Sequence, residues 1–473
     1  MQPIRGLLTC ATLLLFACSQ DNGPSPNPPP TDGDTTTFTE GDWHPGVALR
    51  RVGDAFQEEM DRIAVTAGGN VAAIRTSHRG QDDRVGTSVL ELFDGHGRRL
   101  ASAAAPATAI MLDIIVHPSG EFTVVEVRGD AATPRALWLR RLGADLHLIH
   151  EAPLRDQPTE RDRQMYVFER QPDGSEAMKT EVIPVSGDGI VRPEAIALTR
   201  RRFVLAARGE EAILSTFVYG TKVYALAPDL RVLWSRQIMP LTSSTVSLVG
   251  QEVLTVDGAG RIGIAFPIDR AMFPAYQRHF DRNDVIWSGP RDQTMVTRIS
   301  ADGQSTVMRL FSHGDDAIVE PNVAGIVLHD EQVTLCGSAR VEGKYQEPNR
   351  TMEWDLSWVR GNLEHGTVES GVIDLKRDDY AFDCKIDEAG GMLFAGSNDF
   401  FAYDTHSWME PGQGFVYGID ATGHETTRLA FRGPRHTEVR AIDQRFFAGT
   451  FDGPLTHTPS AEVDKKAMLG VWR

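Results

Sequence analysis

Arginine and aromatic side chains are concentrated in three segments of the sequence, at 161–170, 267–294 and 397–413. Such side chains dominate the hot spots of binding surfaces, and arginine stacked on an aromatic ring also suits carbohydrate or carboxylate ligands. The residues that we take as binding candidates are Tyr166, Arg270, Phe273, Tyr276, Arg278, Trp287 and Trp408. The alternative interpretation is that each segment packs its own aromatic rings over the rest of the domain.

No specific catalytic signature accompanies these segments. The sequence contains no Gly-x-Ser-x-Gly, His-Glu-x-x-His, phosphate-binding or EF-hand pattern. The runs at 313–316 and 329–331 have the residue types of metal ligands, but adjacent residues on a strand point to opposite faces. We interpret both runs as solvated turns and expect no metal and no cofactor. Asp257, Asp387 and Asp443 recur at equivalent turns, which is typical of aspartate capping its own backbone.

The first residues have the pattern of a secretory signal over 1–17. Arg5 precedes an apolar run at 7–16, which is shorter than the roughly twenty residues that a spanning helix needs. The run ends in Leu-Phe-Ala-Cys at Cys18, which resembles the lipobox of bacterial lipoproteins. The resemblance implies cleavage before Cys18 and acylation of its sulfur and of the new amine. The alternative is ordinary cleavage, with Cys18 as a bystander.

The resemblance also predicts where the chain is delivered. Ser19 and Gln20 follow Cys18, and no Asp stands directly after it, which in Gram-negative lipoproteins implies delivery to the outer membrane. Segment 18–44 contains five prolines between residues 24 and 30 among small polar residues, so it cannot bury a core. We therefore expect a lipidated tether that leads into one folded domain over 45–473.

Composition limits the classes of function. Of the 473 residues, 41% are hydrophobic, which is enough for a sizeable core and excludes disorder of the whole chain. The formal net charge of −17 is a poor match to a polyanion, so nucleic acid is not an expected partner.

A repeated hairpin organises residues 45–473. Short apolar runs alternate with turns rich in Gly, Asp and Asn, and a unit of strand, tight turn and second strand recurs seven times. The turns are centred near residues 69, 120, 201, 260, 331, 390 and 445. A spacing of about 50 to 60 residues, lengthened by insertions, is typical of four-stranded propeller blades.

This pattern resembles the seven-bladed β-propeller superfamily. The resemblance implies an all-β fold in which seven four-stranded blades form a ring. The seventh unit has no last strand, because 467–473 supplies only its third. Residues 47–52 form an isolated strand that can take that place and close the ring, which would remove exposed sheet edges. An array of β-sandwiches is the alternative fold.

In such blades the first-to-second and third-to-fourth turns lie on one side of the ring. The long connections then all fall on the other side, at 155–194, 267–294, 338–352, 397–413 and 451–466. Loops of this length in a compact domain are commonly functional. We expect the tether to hold the tight-turn side toward the membrane, so that the insertions face outward.

Two cysteines remain in the folded part. Cys336 falls in the second strand of the fifth unit and Cys384 in the first strand of the sixth, so a disulfide between neighbouring blades is feasible in an oxidising compartment. The alternative is a pair of buried thiols.

These features favour a non-enzymatic lipoprotein of the cell envelope, whose outward face binds an envelope protein or glycan. The first alternative is a propeller hydrolase or lyase with acidic residues or a metal in the central channel. Asp61, Asp113 and Asp383 stand at suitable positions, and we take Asp113 and Asp383 as the catalytic candidates. The second alternative is an outer-membrane assembly factor.

Replacing Cys18 by Ser tests the lipobox. Because the acyl chains attach to this cysteine, we expect C18S to move from the membrane fraction to the soluble fraction, measured by fractionation and immunoblotting. Unchanged membrane association would contradict a lipid anchor at Cys18.

Overall fold

The computed structural model describes parts of the chain between residues 39 and 472. The gaps between the described ranges are 41–46, 53–57, 79–85, 130–134, 171–175, 185–186, 194–202, 219, 243–251, 269, 271, 283–291, 314–317, 342–352, 376–378, 399–412, 432–436 and 453–464. Cys18, Trp287 and Trp408 lie outside the described residues, as do the signal segment 1–17 and most of the tether. All described residues belong to the compact unit Thr36–Arg473.

The described elements are almost all short strands. The first are β1 (Thr39–Glu40) and β2 (Val47–Val52). Next come β3 (Glu58–Val65), β4 (Val71–His78), β5 (Gly86–Phe93), β6 (Arg99–Ala104), β7 (Ala109–Val116), β8 (Phe122–Arg128), β9 (Ala136–Leu142) and β10 (Leu148–Pro153). A 3-10 turn at Arg161–Arg163 precedes β11 (Gln164–Arg170), β12 (Glu176–Val182), β13 (Phe203–Arg208), β14 (Glu211–Phe217), β15 (Thr221–Leu226), β16 (Val232–Gln237) and β17 (Leu241–Thr242).

The second half contains one described α-helix among its strands. It begins with β18 (Val253–Val256) and β19 (Ile262–Ile268), followed by α1 (Phe273–Phe280). The remaining strands are β20 (Gln293–Ile299), β21 (Thr306–Phe311), β22 (Ile318–His329), β23 (Gln332–Val341), β24 (Glu353–Asn362), β25 (Gly366–Ile373), β26 (Asp379–Ile386), β27 (Met392–Asn398), β28 (Gly414–Ile419), β29 (Glu425–Phe431), β30 (Thr437–Asp443), β31 (Phe446–Asp452) and β32 (Lys465–Trp472).

Within the described ranges these strands form eight small sheets. Six of them are meanders of four consecutive strands, which we number in chain order: first (β3–β6), second (β7–β10), third (β13–β16), fourth (β18–β21), fifth (β22–β25) and sixth (β26–β29). The seventh sheet has the order β1-β2-β32-β31-β30, and an accessory sheet has the order β12-β11-β17. Neighbouring strands pair antiparallel except β11 with β17, so the chain has the all-β, propeller-like fold that the repeat pattern predicts.

The N-terminal strand belongs to the seventh sheet. β2 pairs antiparallel with β32, with Val47 opposite Trp472 and Val52 opposite Ala467. The front of the chain therefore supplies the fourth strand that the seventh repeat lacks. The pairing of 47–52 with 467–473 that the sequence predicts is present.

Burial explains the strand sequences. The middle strands, such as β19 and β28, are buried along their whole length and read as continuous apolar runs. The outer strand β6 alternates between exposed and half-buried side chains, because one of its faces meets solvent. The first strands β3, β7, β13, β18, β22, β26 and β30 contact one another in that order, and β30 also contacts β3.

A β-bulge recurs at the same place in five of the first strands. The extra residues are Asp61, Leu112, Ala324, Phe382 and Arg440. A bulge leaves one residue unpaired and re-aims the side chains that follow it. The repeat pattern carries no signal for these bulges, yet they decide which side chains of the first strands are adjacent.

The third repeat differs from its prediction. The pattern predicts a hairpin over 196–207 with its turn at 200–202, whereas Phe203–Arg208 is itself the first strand and pairs with Glu211–Phe217. The turn is at Gly209, whose φ of 60° lies in the left-handed region that glycine adopts without strain. The sequence pattern assigns Phe203–Ala207 to the second strand of the hairpin, because it ends in small residues as the second strands elsewhere in the chain do. In the structure it is the first strand.

Two of the predicted insertions contain structure of their own. Segment 155–194 holds the 3-10 turn and the hairpin β11–β12, and segment 267–294 holds α1. Pro274 stands in the first turn of α1, where its missing N–H costs nothing, and Asp281 ends the helix with a left-handed φ of 51°. No helix in the described ranges has the length and apolar content to cross a membrane.

The disulfide predicted between Cys336 and Cys384 is confirmed. It joins β23 of the fifth sheet to β26 of the sixth across a Cα–Cα distance of 6.1 Å. Both residues are buried in the apolar cluster between these sheets, beside Leu356 and Phe394.

Removing this disulfide measures how much it stabilises the domain. Closing a loop over a sequence separation of 48 restricts the unfolded chain, so we expect C336A/C384A to lose about 2–4 kcal/mol of unfolding free energy. Urea unfolding checks this, and reductant should lower the midpoint of the native protein but not that of the double variant. An equal response of both proteins to reductant would contradict the prediction.

Candidate functional site

The first strands of the seven numbered sheets line one cavity of about 460 Å³. The residues that line it come from β3, β7, β13, β18, β22, β26 and β30, together with Glu252 just before β18. Its ionisable side chains are Asp61, Arg62, Asp113, Glu252, Asp383, Lys385 and Asp443. Five carboxyl groups therefore face two cations, and both catalytic candidates, Asp113 and Asp383, lie in this one cavity as the sequence predicts.

Asp113 is buried and both of its oxygens are engaged. The Arg62 guanidinium lies 3.1 Å from Oδ1, and the backbone N–H of Leu205 donates to Oδ2 over 2.7 Å. Burial raises the pKa of Asp113 to about 6, although Arg62 and the Leu205 amide both act in the opposite direction. Asp113 on the second sheet therefore holds the first strand of the third sheet.

Asp383 and Asp443 repeat this contact. The backbone N–H of Ile442 donates to Asp383 Oδ2 over 2.9 Å, and the N–H of Val65 donates to Asp443 Oδ2 over 2.9 Å. In each pair the carboxylate belongs to one sheet and the amide to the first strand of another. Three cavity carboxylates thus act as bridges between sheets.

Lys385 lies among these carboxylates. Its Nζ is 3.6 Å from Asp383 Oδ1. The negative charges of Asp383, Asp443 and Asp113 raise the pKa of Lys385 against the desolvation that it experiences inside the cavity, although about half of its side chain is exposed. Burial likewise raises the pKa of Asp443, which Lys385 opposes. Lys385 is therefore protonated at neutral pH and acts as a counter-ion, which does not suit it as a base or nucleophile.

The three aspartates at equivalent turns do not behave alike. Asp257 caps its own turn, accepting from the backbone N–H groups of Ala259 and Arg261, and Asp387 accepts from the N–H of Gly391. Asp443 has a backbone hydrogen bond with Gln444 in its own turn and also accepts from Val65 of the first sheet. The side chain of Asp443 differs from those of Asp257 and Asp387 because it lines the cavity.

The insertions of 155–194 and 267–294 meet around His279 of α1. His279 Nε2 is 2.9 Å from Gln237 Oε1, and because the Gln237 amide donates to the Asp162 carbonyl, this imidazole nitrogen is the donor. His279 Nδ1 lies 3.3 Å from the Tyr166 hydroxyl. Burial and the charge of Arg161 lower the pKa of His279 to about 4, so the ring is neutral at physiological pH.

Further contacts fix the two insertions to each other and to the third sheet. Arg161 Nε donates to the His279 carbonyl over 2.8 Å. Lys222 Nζ lies 2.6 Å from Asp156 Oδ2 and is buried, and the Tyr224 hydroxyl donates to the same oxygen. The sequence offers no signal for this buried ion pair, because its members lie 66 residues apart.

The structure separates the binding candidates into two groups. Tyr166, Phe273 and Tyr276 are buried, and the ring of Tyr276 stacks on Phe273. Arg270 and Arg278 are exposed on or beside α1. The aromatic rings that are described thus pack inside, which is the alternative that the sequence left open, while the arginines face solvent.

No protein-family model matches this sequence, and no curated protein matches it. Among solved structures, the chain is similar to a protein of unknown function from Bacteroides caccae, with 12% identity and a TM-score of 0.34 over 67% of this chain and 83% of that one. It is similar to an α-L-arabinofuranosidase of Fusarium graminearum, with 7% identity and a TM-score of 0.37 over 89% of this chain and 97% of that one. A Trypanosoma rangeli sialidase gives 10% identity and a TM-score of 0.37 over 92% of this chain and 57% of that one.

Replacing Asp113 by Asn tests the burial of its carboxyl group. The pKa of Asp113 is about 6 in the folded protein, above the ordinary aspartate value of 3.8, so the folded state binds this proton more tightly. The stabilisation is fully present below pH 3.8 and is lost as the pH rises through about 6. Relative to the native protein, D113N should therefore gain roughly 2–3 kcal/mol between pH 4 and pH 7.

Urea unfolding at several pH values measures this difference. The asparagine keeps an oxygen that can accept from Leu205, so the variant is expected to fold. Asp229→Asn, at an exposed turn, controls for the loss of one carboxylate. A difference between D113N and the native protein that does not change with pH would contradict the prediction.

Proposed function

We propose that the seven numbered sheets are the blades of a seven-bladed β-propeller whose ring is closed by β2. Three observations support this proposal. First strands of consecutive sheets contact one another, and β30 contacts β3. All seven first strands line one cavity. The N-terminal β2 completes the seventh sheet.

We further propose that the protein is a non-enzymatic binding platform that uses the end of the sheets where the insertions emerge. The observation that carries this proposal is the contrast between α1 and the cavity. Around α1, buried polar contacts through His279 and Arg161 fix a helix that presents Arg270 and Arg278 to solvent. In the cavity, three of the five carboxylates already accept backbone amides from a neighbouring sheet.

The exposed charge near α1 suggests the class of ligand. Arg270 and Arg278 are exposed in a chain whose net charge is −17. Guanidinium groups held on a rigid element recognise carboxylates by paired hydrogen bonds, and little side-chain entropy is lost in doing so. The favoured ligand is therefore a carboxylate-bearing glycan of the cell envelope, with an acidic protein surface as the alternative.

We propose that the protein is located at the outer membrane and is held there by a lipid anchor at Cys18. Support comes from the lipobox pattern at 15–18 and from the Cys336–Cys384 disulfide, which fits an oxidising compartment outside the cytosol. A role as an outer-membrane assembly factor is compatible with this location, and the binding partner of the chain would then be a protein.

A hydrolase or lyase is the second candidate function. The observation that favours it is the raised pKa of Asp113 in a cavity large enough for a sugar unit, since a carboxyl group that titrates near neutral pH can act as a general acid. Against it stands the engagement of both Asp113 oxygens, one by the Arg62 guanidinium and the other by the Leu205 amide.

Charge reversal on α1 tests the platform. We expect R270E/R278E to bind an immobilised carboxylated polysaccharide, such as polygalacturonate, at least about tenfold more weakly than the native protein, because two guanidinium contacts are replaced by repulsion. Both side chains are exposed, so folding should be retained. Biolayer interferometry measures the affinity, with dextran as the uncharged control.

The matched control is R98E/R231E. It makes the same charge change at exposed arginines beside third-to-fourth strand turns, at the opposite end of the sheets. Equal loss of binding in both double variants would indicate a general charge effect and contradict a site at α1. Binding of polygalacturonate by neither the native protein nor any variant would contradict the glycan class.

A further inference from the structure

The accessory sheet ends in a strand with an exposed outer edge. The order of this sheet is β12-β11-β17, so β12 is an edge strand. Among the described strands, β11 is the only one that pairs with β12. Residues 179–182 of β12 are all exposed, and they include the apolar Val182, which is 45% exposed. An edge of this kind can accept a strand of another chain.

The register of β12 decides which of its backbone groups form that edge. β12 runs antiparallel to β11 with Val182 opposite Gln164, and the N–H of Ile183 donates to the carbonyl of Arg163 over 3.0 Å. Hydrogen-bonded and non-hydrogen-bonded pairs alternate along an antiparallel ladder. Alternate residues of β12 therefore direct their backbone N–H and C=O groups away from β11. These residues are Met178, Thr180 and Val182.

The side chains between them carry opposite charges. Lys179 and Glu181 are two residues apart and share one face of β12. Lys179 Nζ lies 2.5 Å from Glu169 Oε2 of β11, and an ammonium group has further N–H donors. Lys179 can therefore keep its contact with β11 and also meet a carboxylate across the outer edge.

One antiparallel register makes β12 complementary to a second copy of itself. With Thr180 opposite Thr180 of the second copy, each Lys179 lies opposite the Glu181 of the other copy. Met178 then lies opposite Val182, and the residues that direct their backbone groups outward are the ones that exchange hydrogen bonds. Opposite charges directly across two strands stabilise their pairing.

The neighbouring registers lack this complementarity. A pair centred on Lys179 would set Lys179 opposite Lys179, and a pair centred on Glu181 would set Glu181 opposite Glu181. Like charges directly across two strands destabilise their pairing. Pro184, two residues beyond β12, has no N–H and cannot donate to a longer ladder. Charge and strand length thus favour the register centred on Thr180.

We propose that the chain forms a two-fold symmetric dimer through β12, in which the accessory sheets of two copies join into one continuous sheet. Such an interface is self-complementary, as two-fold symmetry requires. β11 also contacts α1, because the Tyr166 hydroxyl lies 3.3 Å from His279 Nδ1. The dimer therefore carries two α1 helices, so that a polymeric ligand gains avidity by contacting both.

Sedimentation of the full chain in detergent tests the pairing through its charges. The native chain should show a monomer–dimer equilibrium. E181K should raise the dissociation constant at least about tenfold, because two lysines then lie opposite each other at both symmetry-related positions. K179E/E181K exchanges the charges, restores the opposite pairs and should return the constant to near the native value. Glu364→Lys, at an exposed turn between β24 and β25, is the matched control and should change nothing.

Cysteine cross-linking in intact cells tests the register independently of affinity. Residues that exchange hydrogen bonds across antiparallel strands have Cα atoms about 5.5 Å apart, which a disulfide can span. T180C should therefore give a disulfide-linked dimer on a non-reducing gel. K179C and E181C should each give none alone and should cross-link when the two are coexpressed. Cys336 and Cys384 are already bonded to each other, and the native chain shows the background.

Two outcomes would overturn the proposal. The first is a native chain that sediments as a monomer at every concentration while T180C forms no cross-link, because the edge would then accept no second copy. The second is a dimer that E181K leaves intact, or in which K179C cross-links alone as well as T180C does, because the interface or its register would then be a different one.

Discussion

Carboxylates that accept backbone amides from a neighbouring sheet are the interaction on which the interior depends. Asp113 reaches Leu205, Asp383 reaches Ile442 and Asp443 reaches Val65, so each bridges two first strands. Small sheets packed face to face are held mainly by apolar contact, which is non-directional and does not fix how first strands align. A hydrogen bond from a fixed amide to a buried carboxylate is directional, and Arg62 and Lys385 provide the compensating charge.

Under the proposed function, the cavity residues have a structural role and the segments between sheets bind the ligand. The cavity is acidic and looks suited to catalysis when judged by residue type alone, yet its carboxylates are used to position sheets. The segments between sheets contain α1 and the hairpin β11–β12. Their aromatic rings and His279 pack inward, which leaves arginine on the outside. A rigid interior with variable connections is the usual means by which one scaffold serves many ligands.

Much of the fold could be predicted because its determinants are local. Turn residues and apolar runs define hairpins such as Val253–Val256 with Ile262–Ile268, and the missing last strand of the seventh repeat predicts the place of Val47–Val52. The Cys336–Cys384 pair followed from strand assignment alone. In the third repeat the small residues end the first strand instead of the second. The sequence pattern therefore assigns this strand to the wrong place in the hairpin.

The candidate site could be predicted only in part, because its geometry is not local. Asp113 and Asp383 line one cavity, but the bulges beside them and the amides that they accept from have no sequence signal. Asp443 resembles a turn-capping residue by spacing, and its additional contact with the Val65 amide of another sheet has no sequence signal. The same holds for Asp355, Asp374 and Asp379, whose carboxylate oxygens lie within 4.8 Å of one another without a local sequence motif.

Amide hydrogen exchange in D113A, D383A and D443A tests the bridging role most directly. If these carboxylates hold neighbouring sheets, each variant should speed exchange in the strand that it contacts, at Leu205, Ile442 and Val65 respectively, before any change in the strand that carries the mutation. Exchange at these three amides that matches the native protein would contradict the account.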